Sequence, residues 1–172
     1  MIQLYNKFLI LLFLIINFAL NSSAQNLKKV FDDAEKQTTF IFGQIDQAKE
    51  AWLQDIQNKK KPEVVSPRNL SPEGNLNLVA AKDSTSRFFP GVLWFLYEFT
   101  ENQEWEKQAS RLTANIENEK MNCTTHEVGF KIYGSFGAGY RLTKDPKYKE
   151  IILPWARTLS NRFRPIVGCI RS

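Results

Sequence analysis

The stretch Thr124-Thr125-His126-Glu127-Val128-Gly129-Phe130 holds the only histidine of the chain, with a carboxylate next to it and an aromatic ring close behind. A carboxylate in such a setting can serve as a general acid or base, with the imidazole orienting it. The bland alternative is a polar helix start with an exposed acid. Zinc is excluded as a partner, because a helical zinc motif needs a second histidine four residues after the first, and there is none. No metal site is expected. Nucleophilic catalysis by serine or cysteine has no support either, since the histidine forms no recognisable local motif with Cys123 or Cys169.

A second group surrounds Arg87-Phe88-Phe89-Pro90-Gly91. Rings before a Pro-Gly turn can line a sugar pocket or belong to the core. Arg87 and Arg141 can meet an acidic substrate or remain ordinary surface cations. Trp94, Tyr97 and Tyr140 are core candidates first.

The elements that position these groups follow from pattern. With 172 residues, 43% hydrophobic and 13% aromatic, the chain suits one packed domain. Residues 1–24 stand apart as a signal peptide: Lys7 is a positive start, Phe8 to Leu20 is nearly unbroken apolar sequence, and Ser22-Ser23-Ala24 offers small residues for cleavage. An uncleaved anchor is the alternative. The apolar run is shorter than the roughly 20 residues of a spanning helix, so an exported, periplasmic or secreted protein without stable membrane insertion is expected. The formal charge of +5 carries one lysine run, Lys59-Lys60-Lys61, which reads as a solvated helix end and not as a nucleic-acid site. Cys123 and Cys169 can bridge after export or stay free.

From Gln25 to about Asn58, apolar residues recur at three-and-four spacing and predict one long amphipathic helix, or two in line. It should stop near Pro62. Residues 62–82 then read as an extended connector.

Beyond it the chain repeats itself. At an offset of 43 residues Gly91 falls on Gly134, Tyr97 on Tyr140, Thr100 on Thr143, Asn102 on Asp145 and Trp105 on Tyr148. Each copy predicts a helical hairpin: an inner helix apolar on most sides (Val92 to Phe99; Phe130 to Leu142), a Thr-x-Asn/Asp break, and an outer helix with one apolar face. Asn102 and Asp145 are the expected N-caps, Pro146 suits the first helical position, and Pro154 should bend its helix or remove a hydrogen bond. The fold class is therefore all-α, tandem helical hairpins of a solenoid or a toroid. A ring of six such hairpins needs about 260 residues, so a toroid here is expected to be incomplete, with Trp94 and Phe136 exposed at its flanks.

The ordered combination "DSTSRFFPGVLWFLYEFT" and "THEVGFKIYGSFGAGYRLT" resembles the N-terminal part of the unsaturated glucuronyl hydrolases, glycoside hydrolase family 88, from about Ser66 to Ser172. The resemblance implies an (α/α)6 toroid that releases 4,5-unsaturated uronic acids from lyase-generated, glycosaminoglycan-type oligosaccharides. An acidic side chain assists hydration of the double bond, and no cofactor is required. Carried onto this chain, the acid is Glu127; on our reading of the residues, His126 orients it, and His126, Arg87 and Phe88 are the expected substrate-binding residues near the mouth. Glutamate replaces the family's aspartate, a reach longer by on the order of 1 Å, and misplacement of that size costs roughly 100-fold. Ser84 and Arg87 stand where the family has tryptophan and a Thr-x-Gly sequence. The family's second catalytic aspartate lies beyond the stretch resembling "VGCIRS", so the chain alone is expected to be nearly inactive. The alternatives are an unsaturated rhamnogalacturonyl hydrolase and a non-catalytic helical-repeat module that binds a glycan or protein.

Overall fold

The computed structural model describes residues 2–55, 63–122, 124, 125 and 127–171, with side chains described from Asn26 onward. Two compact units divide the chain, Met1–Phe40 and Ile41–Ser172. The first is helical throughout and belongs to α1 (Ile2–Gln54), with surface pairs such as Lys28–Asp32 one turn apart. The backbone helix thus runs through the expected leader from Ile2 on, the side chains there lying outside the described set. Among the described residues no helix is long and apolar enough to cross a membrane.

In the second unit the expected connector is a paired structure. β1 (Val64–Leu70) and β2 (Leu76–Ala80) form an antiparallel hairpin, with Val64 opposite Ala80 and Leu70 opposite Leu76. The connector reading failed because prolines and polar residues hid a short alternation: Val64 and Ser66 are buried while the neighbours are not. Gly74, at φ 86°, supplies the left-handed residue of the turn, and the register shift between Pro67 and Asn69 accommodates an imino acid that cannot donate to the ladder.

Two helical hairpins follow. A 3₁₀ turn (Ser84–Arg87) leads into α2 (Phe88–Thr100), paired with α3 (Gln103–Ala114). A second 3₁₀ turn (Glu117–Met121) precedes a rod made of α4 (Val128–Ile132), a π turn (Tyr133–Gly137) and α5 (Ala138–Thr143), paired with α6 (Pro146–Ser160). β3 (Phe163–Arg164) and β4 (Cys169–Ile170) end the described chain as an exposed hairpin. Cys169 is free and exposed; Cys123 lies outside the described residues.

The repeat holds at the level of single hydrogen bonds. Thr100 Oγ donates to Leu96 O (2.7 Å) and Thr143 Oγ to Gly139 O (2.8 Å). Asn102 and Asp145 accept from Glu104 N (3.0 Å) and Lys147 N (2.9 Å), capping α3 and α6 as their positions predict. Between them Glu101 and Lys144 both turn left-handed, at φ 55° and 61°. One expectation needs amendment. The second inner rod contains a π turn, where Ser135 Oγ donates to Lys131 O inside a glycine-rich stretch. Helix α6 runs on through Pro154, and Thr158 Oγ ties it to Lys120 O at 3.0 Å.

The inner rods pack in register and in parallel, because equivalent positions touch each other. A Cβ on Gly91 would lie 2.8 Å from the Gly134 carbonyl oxygen. Arg87 stands 4.8 Å from the Phe130 ring centroid, and Glu98 pairs with Arg141 through two 2.6 Å bonds, also at a separation of 43 residues. Behind this seam Trp94, Phe136, Trp155 and Ile116 are buried. Trp94 meets Tyr148 edge-on at 5.9 Å, and its Nε1 donates to Thr113 Oγ at 3.1 Å. Within the same unit Phe42 of α1 packs on Phe89 and Trp105, at 5.5 and 6.5 Å.

Lys131 is the buried cation of the core, 1% exposed; its Nζ donates to Ala81 O (3.2 Å), Lys82 O and Glu119 Oε2 (3.1 Å). One ammonium thereby joins the end of β2, the second 3₁₀ turn and α4.

Three outcomes follow for stability. Gly91→Ala should destabilise by about 1–3 kcal/mol, because backbone must move, whereas Gly134→Ala meets only the Arg87 side chain at 3.4 Å and should be near neutral or better; denaturant midpoints of the two variants compare them directly. Lys131→Met removes the ammonium from Lys82 O and leaves Ala81 O with Ser86 Oγ and Glu119 Oε2 with Asn122 Nδ2 as remaining donors; breaking this buried pair should cost about 3 kcal/mol, measured the same way. The Arg141 guanidinium holds the Glu98 carboxyl below its usual range, so the pair stabilises above the ordinary carboxylate pKa and loses that effect as pH falls through the depressed value. The stability gap between the natural chain and Glu98→Gln, small for an exposed pair, should therefore close on acidification.

Candidate functional site

The site begins where both inner rods begin. Asp83 Oδ1 accepts from Thr85 N at 2.8 Å and fixes the 3₁₀ turn that ends at Arg87. From there the Arg87 guanidinium lies 4.4 Å from the Phe88 ring centroid and 4.8 Å from that of Phe130, a cation between two rings from the two hairpins. Its Nε is buried and has no hydrogen-bond partner among the described residues. Burial lowers the Arg87 pKa, and the nearby Glu127 charge counters part of that effect; an arginine stays protonated under such a shift.

Glu127 occupies the N-cap position of α4, half-buried, with φ −77° and ψ 3°. Its backbone N–H donates to Thr125 Oγ at 3.2 Å and its carbonyl accepts from Lys131 N. A carboxylate here can accept hydrogen bonds from the helix start, yet the Glu127 side chain caps no N–H of α4.

Two hollows share Arg87, Tyr133 and Gly134 in their walls. A cavity of about 560 Å³ is walled mainly by Arg87, Phe88, Val92, Phe95, Tyr133 and Arg141. A shallower one of about 430 Å³ is lined by Arg87, Gly129, Phe130, Tyr133 and Gly134. The walls are apolar with two guanidinium groups, and Arg141 is already neutralised by Glu98. Arg87 is the cation left for a ligand. Among the described residues no group of three or more potential metal ligands occurs.

Of the residues singled out from sequence, Arg87 and Phe88 come together in the cavity wall. Glu127 reaches Arg87 by charge and lines neither hollow, and His126 lies outside the described residues. Val92, Phe95 and Tyr133 were missed. The inner helix was expected to be buried on most sides, but Phe88, Val92, Phe95 and Phe99 form an exposed stripe along α2, while Trp94 and Phe136, expected at exposed flanks, are each 1% exposed. The spacing of the stripe was the available signal: a helix apolar all round has more greasy faces than one neighbour and one outer helix can cover.

No family model matches the chain. It is 41% identical over 109 residues to an unsaturated glucuronyl hydrolase of Formosa agariphila, covering 62% of this chain and 27% of that protein. A Bacillus sp. unsaturated glucuronyl hydrolase is 30% identical over 94 residues, 52% of this chain and 25% of its own length. The crystal structure of an unsaturated glucuronyl hydrolase specific for heparin superposes with a TM-score of 0.61 at 31% identity, over 81% of this chain and 35% of that one. The chain spans about a quarter of the length of the curated relatives it matches. Over the part these comparisons cover, it is related to the unsaturated glucuronyl hydrolases of glycoside hydrolase family 88.

Proposed function

We propose that this chain forms one wall of the active site of an exported glycoside hydrolase that removes 4,5-unsaturated uronic acid from glycosaminoglycan-type oligosaccharides produced by polysaccharide lyases. The observation that carries the reading is the arrangement at the start of the two inner rods: a guanidinium held between rings, a carboxylate within its field, and an apolar cavity beside them. In this reaction a proton adds to C4 of the unsaturated ring and the hydroxyl of water to C5. The resulting hemiketal collapses and frees the neighbouring sugar.

Glu127 is the acidic group in this proposal, His126 orients it, and Arg87 and Phe88 contact the sugar. The rest of a toroid of hairpins would close over the exposed stripe of α2. Alone, the 172-residue chain binds the unsaturated sugar and turns it over only in trace, since the acid sits off the cavity wall on a long side chain.

The test follows the ultraviolet absorbance of the 4,5 double bond in an unsaturated disaccharide, beside equilibrium binding of the same compound. Glu127→Gln should lower any turnover by about 10²–10⁴-fold while leaving binding within a few-fold. Glu127→Asp should raise it. Turnover that survives Glu127→Gln removes this residue from the mechanism, and a chain that neither binds nor consumes the disaccharide overturns the assignment.

A further inference from the structure

Arg87 is the one arginine in the cavity wall whose charge is not already matched by a hydrogen-bonded acid. Its neighbour there, Arg141, gives two 2.6 Å bonds to Glu98. Arg87 makes no hydrogen bond with the described residues, and its Nε is sealed from solvent. The guanidinium carbon lies over the Phe88 and Phe130 rings, 4.4 and 4.8 Å from their centroids, and with Nε buried it is the two Nη groups that remain for a ligand. The aliphatic part of the side chain rests on Gly134, 3.4 Å from where a Cβ would stand, which fixes the stem as well. Both ends of the side chain are therefore held before any ligand arrives.

Glu127 supplies charge nearby but no hydrogen bond, so it does not saturate the five donors. A partly buried guanidinium beside two rings, whose Nη groups bond no described residue, is complementary to a planar anion that can accept two parallel bonds. A carboxylate has that geometry. We infer that Arg87 is the specificity-determining residue of this site, receiving the ring carboxylate of an acidic sugar through its Nη groups, with Phe88 and Phe130 beside it. This rests on the hydrolase reading for the identity of the sugar, though the receptor itself is defined by geometry.

The acid group read by Arg87 can belong to the uronic ring or to a sulfate substituent, and the probes separate them. Binding to the full chain is measured for an unsaturated uronic disaccharide, its carboxyl methyl ester, its desulfated form, and saturated glucuronate. Esterification should weaken binding by at least 10-fold, and desulfation should change it little. Arg87→Gln should bind acid and ester alike. Arg87→Lys, which keeps the charge and loses the planar fork, should recover only part of the preference. The contrast between acid and ester on the natural chain needs no variant, so a folding defect in Arg87→Gln does not remove the test.

A folded Arg87→Gln that still prefers the acid, or a loss on desulfation and not on esterification, overturns the inference and leaves the hydrolase reading standing. Arg87-dependent binding of saturated glucuronate, with no recognition of the unsaturated sugar, supports the receptor and overturns the reaction. Absence of binding by every acidic sugar overturns both.

Discussion

The architecture turns on the absence of one side chain, at Gly91. Gly91 and Gly134 meet across the seam of the inner rods so closely that a methyl on Gly91 would press on a carbonyl oxygen at 2.8 Å. Glycine in a helix costs about 1 kcal/mol against alanine, and here the return is backbone contact between two parallel rods. The register set at that point propagates in both directions. Four residues earlier Arg87 lands on Phe130, and seven residues later Glu98 lands on Arg141. Each contact joins a residue to its own counterpart, which is what parallel packing of identical units at one fixed offset requires.

Polar interactions lock what the seam arranges. Lys131 has no water to replace its three partners, so the carbonyls of Ala81 and Lys82 and the Glu119 carboxylate must stay near its ammonium. A buried ion pair of this sort adds little net stability compared with a well-packed apolar substitute, but removing one partner is expensive. Its effect is to fix position: the segment leaving β2 is held against α4, and that segment leads directly into the turn carrying Arg87. Asp83, one residue beyond Lys82, then caps the turn. The geometry around Arg87 thus descends from one buried charge and one glycine contact.

Much of this was readable from residue order. The repeat places both hairpins, and the Thr-x-Asn/Asp breaks give the caps atom by atom, because a threonine hydroxyl and a carboxylate or amide two residues on can satisfy the same few N–H groups only one way. The β-hairpin was not readable as such, since its alternation is short and interrupted by Pro67. The π turn also escaped, as a glycine-rich helix reads alike with or without one extra residue. Exposure of Phe95 and Tyr133 depends on which rods pack where, information that local periodicity does not contain. For the site, Arg87 and Phe88 were found as neighbours in sequence. The role of Phe130 as the second ring beside Arg87 requires the 43-residue register to be read as a contact in space.

Glu127 shows how local stability and chemistry compete at one position. The N-cap of a helix favours Ser, Thr, Asp or Asn, whose short side chains reach back to the free N–H groups, and a good cap contributes about 1 kcal/mol. Copies of that solution appear at Asp83, Asn102 and Asp145, all of which accept from the backbone two residues ahead. The turn into α4 has the same device one step earlier: Thr125 Oγ accepts from Glu127 N at 3.2 Å, and the Glu127 side chain makes no capping bond of its own. With a short hydroxyl already in that place, the glutamate is not needed as a cap. Violations of local preference concentrate where function sets the requirement. A carboxylate that caps no N–H of its own helix is the kind of group the proposed hydration needs.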